Sequence, residues 1–228
     1  MDNYLIVGDL HVPFENEKAL QFCIALKKEY KVPDENVLFT GDEVDYYYGS
    51  LFEKDPDATK TANQEIEDAR KTLRQWYRAF PIARVCNSNH GLRWYKKFFK
   101  SQIPTQLLRD YAEIIQAPST WKWADKWRIN TKHPFILSHG MGFSGKDGAR
   151  NAAMLNGMST VIGHLHSHAG VQHIKTSGLN LWAMNAGCLI DEESYAFSYS
   201  KYDKFKATLG SSVVLNDGGL PIWIPLST

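Results

Sequence analysis

The chain has 228 residues, 43% of them hydrophobic, which is enough for one large α/β domain with a proper core over residues 1–228. Its 26 basic residues balance 25 acidic ones, so no global field selects nucleic acid or an anionic membrane as a partner. The three cysteines, Cys23, Cys86 and Cys188, are far apart, odd in number and flanked by apolar residues; this argues against a disulfide framework or a zinc knuckle and predicts buried thiols in a reducing, cytoplasmic setting.

No apolar run reaches transmembrane length, and the one before Asp9 is too short for a signal peptide, so no membrane partner is expected. A first strand is predicted over 3–8, ending in Val7-Gly8-Asp9-Leu10-His11. A helix follows over 17–30, with Asn16 as its cap and Ala19, Leu20, Cys23 and Ile24 at helical spacing. The apolar run Asn36-Val37-Leu38-Phe39 then reads as a buried strand and delivers Thr40-Gly41-Asp42-Glu43-Val44-Asp45, where glycine permits a sharp turn. A long helix over 58–79 carries the apolar stripe Ala62, Ile66, Ala69, Leu73, Trp76 and Phe80, and Pro81 stops it. The strand after it delivers Asn87-Ser88-Asn89-His90.

Residues 91–127 are harder to read. Arg93-Trp94-Tyr95-Lys96-Lys97-Phe98-Phe99-Lys100 interleaves cations with aromatics, a mixture that stacks bases and tracks phosphates, or equally forms an amphipathic helix with Trp94, Phe98 and Phe99 packed inward. Pro104 opens a helix expected over 105–116, and Trp121, Trp123 and Trp127 follow. The second half reads as β-rich. Strands are expected near 127–130, 134–138, 160–163, 169–175, 180–186, 211–216 and 221–225, with a helix over 147–157 and a hairpin turn at Asn216-Asp217-Gly218-Gly219. Two of these strands end in Ser138-His139-Gly140 and Gly163-His164-Leu165-His166.

Five apolar runs thus each deliver Asp, Asn or His at a strand end, where an open α/β sheet presents its binding edge. Five of the eight histidines fall in these motifs; His133, His168 and His173 do not, and surface or supporting places suit them better. Asp, Asn and His donors without thiolate suit intermediate divalent cations.

The ordered set Asp-x-His, Gly-Asp-x-x-Asp, Asn-His, His-Gly and Gly-His-x-His, spanning Asp9 to His166, resembles the calcineurin-like metallophosphoesterases. The resemblance implies a four-layer α-β-β-α sandwich of two mixed sheets flanked by helices, and two divalent metal ions, manganese first with iron, zinc or nickel as alternatives. It implies that Asp9, His11 and His166 hold one ion, that Asn89, His139 and His164 hold the other, and that Asp42 bridges them. The implied reaction is phosphoester hydrolysis by metal-bound hydroxide, with His90 as the proton donor and Asp45 orienting it, a role favoured over that of a simple helix cap. Arg93 reads either as a solvated helix charge or as a phosphate clamp. The chain departs from the family pattern at Ser88 and Gly91, which flank Asn89-His90, and Asp45-Tyr46-Tyr47 replaces the Asp-Arg-Gly expected of protein phosphatases. A phosphodiesterase or nuclease acting on nucleotides or nucleic acid is the first expectation. A phosphomonoesterase for small or protein phosphates and an inactive metal-binding scaffold are the alternatives.

Overall fold

Three short runs, β1 (Tyr4–Val7), β2 (Val37–Phe39) and β3 (Ala83–Cys86), are buried almost throughout, so the sheet they form must be covered on both faces. The computed structural model, which describes residues 1–50, 53–202 and 204–227 (backbone alone for 199–202), shows what covers it. α1 (Ala19–Glu29) and α2 (Ala62–Ala79) lie on one face, where Leu5 and Val7 pack with Cys23, Leu26, Leu73 and Trp76. Tyr4 and Ile6 alternate to the opposite face and meet Phe135, Leu137, Val161 and Met184 of a second sheet.

The first sheet has six strands in the order β11-β10-β1-β2-β3-β4, where β4 is Trp121–Ala124, β10 Gly210–Leu215 and β11 Leu220–Pro225. Strands β1 to β4 run parallel; β10 pairs antiparallel with β1, and β11 antiparallel with β10. The second sheet has five strands, β5 (Lys126–Ile129), β6 (Phe135–Ser138), β7 (Ser159–Ile162), β9 (Asn180–Asn185) and β8 (Gly170–Lys175), in that order. Its outer face is covered by α5 (Gly148–Asn156), whose Ala149, Ala152 and Ala153 pack on Ile162 and Ala183. The layers are therefore helix, sheet, sheet, helix, as the motif pattern implied.

Several expected elements differ in detail. The long helix starts at Ala62, because Thr61 and Gln64 form a capping box: the Gln64 N–H donates to Thr61 Oγ1 at 3.3 Å and the Thr61 N–H donates to Gln64 Oε1 at 2.8 Å. Thr61→Ala should cost about 1 kcal/mol and lower the melting temperature by roughly 2–4 °C, measured by circular dichroism. The helix expected over 105–116 is not continuous. A 3₁₀ turn at Thr105–Leu107 gives way to extended backbone at Leu108 and Asp110, then to α4 (Tyr111–Ile114). Only the later half has a surface to pack on: Ile115 is fully buried, whereas Leu107 is 74% exposed. The tryptophan-rich tract becomes β4, fixed by Trp121 against Phe39 and Tyr77.

α3 (Arg93–Lys100) is amphipathic, but only Trp94 and Phe98 turn inward; Phe99 is 72% exposed. All three cysteines are free and buried. Among the described residues, no helix is long and apolar enough to cross a membrane.

Candidate metal centre

The loops leaving β1 and β2 stay paired beyond the strands. The Leu10 and His11 N–H groups donate to the Asp42 carbonyl, Val12 to Glu43, and Asp45 back to Val12. This pairing holds Asp9-Leu10-His11 alongside Asp42-Glu43-Val44-Asp45. Asn89 and His90 arrive from the end of β3, His139 from β6, and His164 and His166 from β7, so both sheets contribute. Gly41 has φ +110°, and a Cβ there would stand 2.8 Å from both the Cys86 carbonyl and Ser88. His11, Asp42 and His164 also adopt left-handed backbone, at φ 55°, 47° and 67°. Such conformations cost free energy and persist where surrounding structure over-determines them, which is common at functional sites.

Three groups of side chains converge closely enough to hold a metal ion: Asp9, His11 and His166; His11, Asp42 and His90; and Asp42, His139 and His164. Asn89 joins the third group, its Oδ1 2.7 Å from His139 Nε2. The six Asp and His residues taken as ligands from the motifs all fall within these groups, and Asp42 stands in two of them. The grouping of His90 with His11 and Asp42 had no counterpart in the sequence reading.

Asp9, Asp42 and His11 are essentially inaccessible. Burial pushes the Asp42 carboxyl up, but His139 and His90 outweigh it and hold the group well below the usual carboxylate range. Burial acts on Asp9 likewise and is outweighed by His166 and His139. Thr40 Oγ1 donates to Asp9 Oδ1 at 2.7 Å, and the His164 N–H donates to Asp9 Oδ2 at 2.6 Å. Burial, then the nearby His90, lowers His11 to about 4, so its imidazole is neutral. The His11 Nδ1–H donates to Asp45 Oδ2 at 2.8 Å, which leaves a lone pair on Nε2, 3.0 Å from His166 Nε2. His139 is the opposite case. Burial opposes its charge, but Asp42 raises it to about 9; its Nδ1–H donates to the Thr40 carbonyl at 3.0 Å, and Nε2 faces Asn89 Oδ1 and Asp42 Oδ2.

This donor set fits a divalent cation. Two buried, ionised carboxylates require compensating charge. The Asp45–His11 and Thr40–His139 hydrogen bonds aim Nε2 of each imidazole inward, the arrangement by which ligating histidines are oriented and made more basic.

Asp45 serves other partners besides the one assigned to it from the motif. Its carboxylate contacts His11 at 2.8 Å and Arg93 Nη1 at 3.0 Å, and stands 3.4 Å from His90 Nδ1. Closer to His90 is the Asp45 backbone carbonyl, which accepts from His90 Nδ1 at 2.8 Å. Arg93 is no solvated charge: Nη1 also donates to the Asp45 carbonyl, and Nη2 donates to His90 Nε2 at 2.9 Å. Burial disfavours charge on His90, the Asp42 and Asp45 carboxylates favour it, and the carboxylates win. Even so, protonating Nε2 requires Arg93 to leave that nitrogen. Ser88, one of the two departures from the family pattern, accepts the Gly91 N–H at 3.2 Å and so closes the turn that presents Asn89 and His90.

Three contributors carried weaker signals. Thr40 supports both Asp9 and His139, and its place in Thr-Gly-Asp marked it. Glu65 of α2 accepts the N–H groups of Tyr47 and Tyr48 and so fixes the tyrosine loop. Phe197, in the 3₁₀ segment Tyr195–Tyr202, packs edge-on against His11 with ring centres 5.4 Å apart; nothing in the periodicity of that tract indicated it. His133, His168 and His173 lie outside the convergent groups, with His168 against Phe205.

The site opens into a cleft of about 840 Å³. Asp42, Asp45, Asn89, His90 and Arg93 line one side, and Ile190, Ala196, Phe197 and Phe205 supply an apolar wall. Neither a family model nor a curated protein sequence matches the chain.

Proposed function

We propose that this chain is a calcineurin-like metallophosphoesterase, a hydrolase of phosphoesters and foremost a phosphodiesterase or nuclease acting on nucleotides or nucleic acid. The observation that carries the proposal is the convergence of buried carboxylates and inward-facing imidazoles on Asp42, at a cleft that also receives His90 and Arg93. Two divalent ions, manganese first, held by Asp9, His11 and His166 and by Asn89, His139 and His164 with Asp42 between, would supply Lewis acidity and hydroxide at neutral pH.

The remaining work falls to the chain itself. Asp45 keeps the His11 tautomer fixed. Arg93, resting on Asp45 and His90, is placed to take a phosphoryl oxygen. When a phosphate draws the guanidinium away, His90 Nε2 is released to carry a proton towards the departing oxygen. Arg93 is the one Lys or Arg among the described residues lining the cleft. A single cation suits a diester's single negative charge, and the apolar wall leaves room for a second substituent; both favour the diester reading over the monoester one.

The direct test is turnover of bis-p-nitrophenyl phosphate and p-nitrophenyl phosphate by protein loaded in turn with manganese, iron, zinc and nickel. Faster turnover of the diester is expected. No turnover of either ester with any of these metals would overturn the proposal.

His90→Asn should retain the metals and lose about 10²–10⁴ in rate on esters with alkoxide leaving groups. It should lose markedly less on p-nitrophenyl esters, because p-nitrophenolate departs without a proton. An equal fall on both substrate types would make His90 a phosphate-positioning group, and a fall in metal content would make it a ligand.

A further inference from the structure

α3 begins in the cleft at Arg93 and leaves it along a charged edge. At 3.6 residues per turn, Arg93, Lys96, Lys97 and Lys100 fall within one sector of about 100°, and the helix contains no acidic residue. One flank of that stripe carries Phe99, exposed to 72%; Tyr95, one turn before it and exposed to 38%, stands nearer the opposite face of the helix. On its other flank Trp94 and Phe98 are half-buried and hold each other edge to face. The helix is tied to the cleft rim, because Lys97 Nζ donates to the Tyr48 carbonyl at 3.3 Å. Lys54 joins the same rim, its Nζ 4.5 Å from the Tyr47 ring centre and 5.6 Å from that of Tyr48, which is itself half exposed. In a chain of net charge +1, four lysines thus gather outside the cleft, next to the one arginine that lines it.

We propose that this face is a track for a single-stranded nucleic acid, with phosphates following Lys100, Lys97 and Lys96 towards Arg93 and unpaired bases stacking on Phe99 and Tyr48. The proposal rests on the hydrolytic reading of the cleft to which the track leads. The stripe is about 10 Å long at 1.5 Å per residue, long enough to follow more than one phosphate of a strand. The exposed aromatic faces decide in favour of a single strand. Stacking on a side chain uses the flat face of a base, which a duplex keeps inside its own stack; a duplex offers only backbone and groove edges.

The test uses the full chain stripped of metal with EDTA, so that binding is read without turnover, and follows the anisotropy of a fluorescein-labelled oligothymidylate across a salt series. Replacing the three lysines together (K96Q/K97Q/K100Q) keeps good helix formers at exposed positions. It should weaken binding about tenfold or more at low salt and flatten the slope of log K against log salt by about 2. Phe99→Ala should weaken binding by about tenfold and leave the slope unchanged. An unchanged affinity and slope in the lysine variant, or equal affinity of the wild-type chain for a duplex of the same length, overturns the track.

Turnover of bis-p-nitrophenyl phosphate by the metal-loaded wild-type chain separates the two readings. Turnover with an unaltered lysine variant removes the track and keeps the hydrolase. The expected binding pattern without turnover keeps the track and removes the hydrolase.

Discussion

Asp42→Asn is expected to yield a folded chain that takes up little metal and lacks the hydrolytic activity proposed for it. The carboxylate is buried, ionised and common to two of the three convergent groups. Two divalent cations ~3.5–4 Å apart repel strongly and need an anion between them. An amide keeps the shape of the side chain and can still accept the His90 N–H that now reaches Oδ1 at 3.1 Å, so the loop geometry should survive. What the substitution removes is charge. Metal analysis after dialysis should therefore fall from about two ions per chain to one or none. The far-ultraviolet circular dichroism of the metal-free protein should match wild type. Two tightly held ions in the variant would show that Asp42 does not join the two positions.

Gly163→Ala is expected to damage the same centre from behind. A Cβ at this position would stand 2.4 Å from Asp9 Oδ1 and 2.7 Å from Thr40 Cβ, and both neighbours are fully buried with nowhere to retreat. Overpacking of this kind costs roughly 1–3 kcal/mol, or about 2–4 °C in melting temperature per kcal/mol for a chain of this size. Asp9 is held through Thr40 Oγ1 and the His164 N–H, so displacing its carboxylate should also loosen the group it forms with His11 and His166. Gly178→Ala is the control, since nothing lies within 4 Å of its added carbon. Wild-type melting and metal content in Gly163→Ala would mean that Asp9 is not confined as described.

The layered fold and the convergence at the strand ends were legible because both rest on local signals. Tyr4–Val7, Val37–Phe39 and Ala83–Cys86 are short apolar runs that can be satisfied only when covered on both faces, and each is followed by polar residues able to sit at a sheet edge. Other features were set by contacts between distant segments. The run 105–116 has helical spacing, but packing reaches only Tyr111 to Ile115, so the first half unwinds. Phe99 continues the apolar pattern of α3, yet it stays 72% exposed. The partnership of Asp45 with His11 and Arg93 links residues 34 and 48 positions apart, across loops whose register follows from the pairing of Val12 with Val44. Phe197 reaches His11 from a segment with neither a strand nor an amphipathic helix pattern, so no periodic signal could have announced it.

The position of β1 has a consequence for the order in which the molecule can be made. β1 presents Asp9 and His11, and it lies between β2 on one side and β10 on the other, in the register Tyr4 to Val214, Leu5 to Val213 and Ile6 to Ser212. Ser211 Oγ donates to the Ile6 carbonyl across 205 residues of chain. During translation one edge of β1 therefore stays open until Gly210–Leu215 has left the ribosome, and an open edge is both frayed and adhesive. A nascent chain halted before residue 210 should carry every one of the Asp, Asn and His side chains of the centre and still be unable to assemble them. Convergence of the ligand set and resistance of β1 to proteolysis should both appear only after β10 emerges.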